Sequence, residues 1–69
     1  MALYLVTSEK TGSIIVSYPM TLDGWKDATT YACIMAQVPE MYGAIRVEKQ
    51  TDDNEVTSIL RIESVSKGN

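Results

Sequence analysis

Histidine is absent from the 69 residues, cysteine occurs once and proline twice. Each shortage closes off a class of function. General acid–base catalysis most often uses imidazole, and none is present. Cys33 as a nucleophile would lack the activating base that such chemistry needs; near the edge of a helix's apolar stripe it reads as a packing residue. One cysteine closes no internal disulfide, and without histidine it builds no zinc site. Gly12, Gly24, Gly43 and Gly68 are scattered, so no glycine-rich loop is available to cradle phosphate. No apolar run approaches the ~20 residues of a membrane span, and the first residues lack the basic region and long apolar core of a signal peptide. Catalytic, cofactor-binding and metal-binding residues are therefore not expected, and the expected compartment is the cytoplasm.

Positive charge is also scarce. Six basic residues stand against nine acidic ones, for a net charge of −3. Lys10, Lys26, Arg46, Lys49, Arg61 and Lys67 are spread along the chain, without the basic patch of a nucleic-acid-binding surface. Asp52, Asp53 and Glu55 share one polar stretch. They resemble part of a calcium loop, but the spaced ligands and closing glutamate are missing. They read as a solvated turn or, alternatively, as an acidic contact for a basic patch on a partner.

What is present is a single domain over 1–69 with 45% hydrophobic residues. A chain this short buries only about 60% of its unfolded surface, so it depends on a compact core or on self-association. Its organising element is a helix from Met20 to Gln37. Thr21 is a good N-cap, and Met20 and Trp25 have the spacing of a hydrophobic staple. Leu22, Trp25, Ala28, Thr29, Ala32 and Ala36 form one stripe at about 100° per residue. Pro39 ends the helix before Val38.

Strands are expected over Ala2–Thr7, Ser13–Tyr18, Ala44–Gln50 and Glu55–Val65, from their alternation and β-branched residues. The return loop is Pro39–Gly43, with Gly43 at a backbone angle that other residues resist. Residues 66–69 read as a frayed tail. The order is β-β-α-β-β. The expected fold class is α+β, a four-stranded and mainly antiparallel sheet with the helix on one face. Leu3, Leu5, Ile14, Val16, Ile45, Val47, Val56, Leu60 and Ile62 are expected to face the helix.

Two surfaces are then left over. The sheet face away from the helix would carry Arg46, Glu48, Arg61 and Glu63, together with Tyr4, Val6, Ile15 and Ile59 as an apolar patch. On the outer side of the helix, Tyr31, Ile34 and Val38 form a second apolar strip. Each reads either as ordinary local packing and strand propensity or as a partner or dimer surface.

The span from Thr21 to Val47 combines a Thr-Leu-Asp helix start, Ala28 and Ala32 at helical spacing, and a Gly43 turn into the Ile45–Val47 strand. It resembles very small bacteriophage proteins that inhibit host RNA polymerase, and some anti-CRISPR proteins. Gly24 and Trp25 depart from the acidic-then-alanine start of that pattern. The resemblance covers less than half of the chain and implies a class, without assigning functional residues. That class is a non-enzymatic protein of the host-cell cytoplasm that binds a host protein or complex, in defence or transcription, and occludes it. The alternative is a structural or accessory homodimer. A small-molecule or nucleotide binder comes third, because one helix on four short strands leaves little room for a pocket.

Overall fold

The computed structural model describes residues 2–63. Its elements are β1 (Leu3–Ser8), β2 (Ile14–Pro19), α1 (Leu22–Met35), α2 (Pro39–Tyr42), β3 (Ile45–Gln50) and β4 (Val56–Ile62). The expected α+β class is the one found. The four strands form one open antiparallel sheet in the order β2-β1-β3-β4, and α1 packs over β1, β2 and β3. Both β2 and β3 are antiparallel to β1, so they run parallel to each other and α1 is the crossover between them. Ser64 and Val65 of the expected fourth strand, and the tail 66–69, lie outside the described residues.

The start of α1 follows its sequence. Thr21 is extended, and its hydroxyl accepts a 2.9 Å bond from the Gly24 N–H. Gly24 is required here because the helix begins against the preceding strand. A methyl group on it would stand 1.8 Å from the Pro19 carbonyl oxygen, far inside contact distance. At the other end α1 tightens: Gln37 donates to the Ile34 carbonyl and Val38 to that of Met35, bonds of the 3₁₀ type. The helix is thus two residues shorter at each end than Met20–Gln37. Pro39 then opens α2 at a position where its missing N–H costs nothing. This short helix occupies the stretch expected as loop. Gly43 closes it at φ 66°, the backbone freedom anticipated for it, and donates to the Pro39 carbonyl at 2.9 Å.

The core is small and close-packed. Ala28, Ala32 and Ala36 are fully buried against Val6, Ile45 and Val47. Residues directly opposite one another in a sheet share a face. The helix-facing rows are therefore Tyr18–Tyr4–Lys49–Thr57, Val16–Val6–Val47–Leu60 and Ser8–Ile45–Ile62. Val16, Ile45, Val47, Leu60 and Ile62 lie as expected. Four expected members do not. Leu3 and Leu5 point to the opposite face, and Tyr4 and Val6 take their place toward the helix. Ile14 pairs with Thr7 and Val56 with Gln50, so both also turn away from the helix, 56% and 50% exposed.

Two bulges cause the slips in β2 and β4. The register shifts between Val6 and Thr7, leaving Ile15 as an extra residue of β2. It shifts again between Val47 and Glu48, leaving Ile59 extra in β4. An extra residue reverses the in–out alternation on one side of it. In β1 the cause is different, since Leu3, Tyr4, Leu5 and Val6 are all apolar and alternation there carries no sign.

Gly24→Ala is expected to lower unfolding stability by about 1–3 kcal/mol, because the contact it creates is with backbone and cannot be relieved by a rotamer change. Thr21→Ala should cost about 1 kcal/mol through the lost cap. Urea unfolding with unchanged slope checks both, against a total that for this length is roughly 3–10 kcal/mol.

Candidate functional site

The sheet face away from α1 carries the expected charges of Arg46, Glu48 and Arg61, without the apolar patch expected beside them. Arg46 and Arg61 stand directly opposite each other on β3 and β4. Like charges so placed repel, and a third group must lie between them. That group is Glu9, in the turn after β1. Its carboxylate accepts two bonds from Arg61, from Nε at 2.7 Å and Nη2 at 3.0 Å, and lies 3.8 Å from Arg46 Nε. Arg61 Nη1 also donates to Glu63 at 2.8 Å. Arg46 Nε makes no hydrogen bond but stands 3.6 Å from Glu48, which accepts from the Thr7 hydroxyl at 3.0 Å. The Arg61 hydrogen bond, aided by the positive charges of Arg61 and Arg46, holds the Glu9 carboxyl below the usual glutamate range, with desolvation opposing. Glu9, and then Glu63, hold the Arg61 guanidinium more firmly protonated.

The turn that carries Glu9 is pinned from behind. Its backbone N–H bonds the Ala44 carbonyl at 2.9 Å, and that of Lys10 bonds the Tyr42 carbonyl at 3.2 Å. The buried Ser8 hydroxyl also donates to the Tyr42 carbonyl, at 2.6 Å, and the Lys10 ammonium reaches the Glu40 carbonyl. The β1–β2 hairpin therefore fixes α2 and Gly43, and with them the start of β3.

The apolar surface lies on the helix side, beyond α1. Tyr4, Met20, Thr21, Leu22, Trp25 and Ile59 line a shallow recess of about 490 Å³. The Trp25 ring sits 5.3 Å from that of Tyr4, tilted by 55°, a favourable aromatic geometry. Leu22 is 72% exposed and Ile59 41% exposed. Leu22 was expected inside the helix stripe. It stands out on the rim of the recess, across from Tyr4 of β1 and Ile59 of β4.

The expected patch of Tyr4, Val6, Ile15 and Ile59 is therefore dispersed. Val6 is fully buried in the core, Tyr4 faces Trp25, and Ile15 packs against the core from its bulge. Only Ile59 is exposed, on the recess. Of the strip of Tyr31, Ile34 and Val38, the first two line one shallow recess with Tyr18, Asp27 and Thr30, and Val38 lies apart from it. Tyr31 packs against the core, Val38 is half-buried as the cap of α2, and Ile34 is exposed. Cys33 is exposed, not a packing residue. Asp52, Asp53 and Glu55 occupy the exposed β3–β4 turn. Among the described residues, no cluster of His, Cys, Asp and Glu is arranged to hold a metal ion, and no helix is long and apolar enough to cross a membrane.

No family model matches the chain, and no curated protein or solved structure matches it either.

The Glu9 network makes stability depend on pH with a definite sign. The folded pKa is lowered, so its contribution is complete above the ordinary glutamate range, near ~4.3, and is lost as pH falls through the lower folded value. Glu9→Gln should lower Tm at neutral pH by leaving Arg46 and Arg61 opposed. The gap to the unsubstituted chain should close as the pH drops below that range, and should narrow in ~1 M salt, where exposed charges are screened. Thermal melts of both chains across pH and salt check this.

Proposed function

We propose that the chain is a small non-enzymatic binding module that attaches to a larger protein and covers a surface that protein needs. The carrying observation is the recess at the start of α1, where Leu22 and Ile59 are exposed beside the Tyr4–Trp25 pair. Exposed apolar side chains grouped around a half-buried aromatic are the usual composition of an interface centre. A stable interface takes roughly 800 Å² per partner, a large share of so small a surface. Occlusion is therefore a natural mode of action for it. The resemblance to small phage inhibitors supports a host complex of defence or transcription as the target, in the host cytoplasm.

A second reading, an accessory homodimer, is favoured by one observation. β4 is an edge strand whose first residues, Val56 to Ile59, are all exposed, and such an edge can pair with its own copy. Light scattering over about 100 µM to about 1 µM separates the two readings, because a micromolar dimer would dissociate in that range.

Leu22→Lys and Ile59→Lys each place a charge on the recess without touching the core. Tagged protein incubated with bacterial host lysate is expected to retain a partner stoichiometrically, and each substitution should lower the retained amount about tenfold or more while leaving Tm within a few degrees. Retention that is the same for all three proteins would place the binding surface elsewhere.

A further inference from the structure

We propose that the partner offers an extended, basic segment that adds to β4 as a fifth strand and seats an apolar side chain in the recess beside Trp25. This rests on the reading that the recess is the binding surface, and it specifies the chemistry of what binds there.

The first support is the edge. Among the described residues β4 pairs with β3 alone, and α1 does not extend over it as it does over β1, β2 and β3. Its outer N–H and C=O groups face no other described strand, so a chain laid alongside gains ladder hydrogen bonds. The other edge is less available. β2 lies beneath α1 and ends on Pro19, which has no N–H to donate. The second support is where the side chains of an added strand would fall. They alternate between faces, and those on the helix side would drop next to Ile59, Leu22 and Trp25.

Charge is the third support. The row Tyr4–Lys49–Thr57 carries one wall of the recess. It lies one residue, about 3.3 Å, from the row Leu3–Gln50–Val56 that the β3–β4 turn closes. The exposed Asp53 and Glu55 of that turn therefore stand at the same end of the sheet as the recess. Asp23, in the first turn of α1, stands on its helix side. Lys49 and Lys26 offset this only in part, and the whole chain carries −3. An apolar recess at an end of the sheet that carries Asp23, Asp53 and Glu55 against Lys26 and Lys49 favours an apolar anchor with lysine or arginine beside it over an acidic segment.

Trp25 is the only tryptophan, so its emission reports on the recess directly. The probe is a peptide of about eight residues, a strand's length, alternating leucine and lysine. It is compared with a twin carrying glutamate for lysine and a second twin N-methylated at alternate amides. The lysine peptide is expected to shift Trp25 emission and to bind about tenfold or more tighter than either twin. In the double variant Asp53→Asn, Glu55→Gln, both exposed positions, the preference over the glutamate twin should shrink several-fold while Tm stays close to that of the unsubstituted chain. Equal affinity for the lysine and glutamate peptides, indifference to N-methylation, or no response up to about 1 mM overturns the proposal. So does a stable dimer whose Trp25 emission changes on dilution, which would put a second copy on β4. Lysate capture that depends on Leu22 and Ile59 alongside any of the first three results would leave the recess as the binding surface and reject only the strand and its charge. Loss of peptide binding in Leu22→Lys with lysate capture unaffected would do the reverse.

Discussion

The structure depends on how closely α1 approaches the sheet. Three alanines, Ala28, Ala32 and Ala36, present almost no side-chain height, so the helix settles directly onto Val6, Ile45 and Val47. A thin layer of this kind buries little area per residue, and its stability comes from leaving no voids. The same closeness makes demands at the helix start. Gly24 has to pass the Pro19 carbonyl with no room for a methyl group. It also explains why larger side chains gather at the margins. Trp25, Tyr31, Met35 and Tyr42 pack around the alanine contact, not within it.

Much of this was legible from residue types. The cap at Thr21, the break at Pro39, the freedom of Gly43, the strand order along the chain and the inward side of β3 all follow from local chemistry that tertiary context did not override. The inward side of the other strands followed less well, for particular reasons. β1 is central and apolar on both faces, with Leu5 only 4% exposed on the side away from α1. A strand of that kind has no polar face to reveal its orientation. In β2 and β4 a single extra residue resets the alternation, and each bulge falls on an isoleucine flanked by residues equally at home in a regular strand. Nothing in the composition of Ser13–Tyr18 or Glu55–Ile62 marks the insertion.

The candidate surfaces show the same division. Tyr4, Val6, Ile15 and Ile59 group together only if the alternation runs unbroken. With Tyr4 and Val6 turned toward the helix and bulges at Ile15 and Ile59, that patch is lost, and the expected charges on the face away from the helix are left crossing one another. There, Arg46 opposite Arg61 is a repulsion that Glu9 resolves across the hairpin turn. The two arginines can be placed on one face from the strand pattern alone. The partner Glu9 cannot, because its position depends on the bonds that tie the hairpin turn to Tyr42 and Ala44. Ile59 belongs to an exposed surface as expected, but to the surface on the opposite side of the sheet.

An exposed edge follows from the dimensions of the fold. Neighbouring strands are about 4.8 Å apart, so four of them span about 14 Å between outer axes, while one helix is about 10 Å across. A single helix therefore leaves part of that face uncovered. Because α1 is the crossover from β2 to β3, it lies over β1 with those two strands at its flanks, and the uncovered part is β4. Edge strands are commonly lined with charge. Here the margin holds Leu22, Ile59 and the open side of the Tyr4–Trp25 pair, and the nearest turn supplies carboxylates. The helix that closes the core thereby also defines the apolar recess that stays open beside β4.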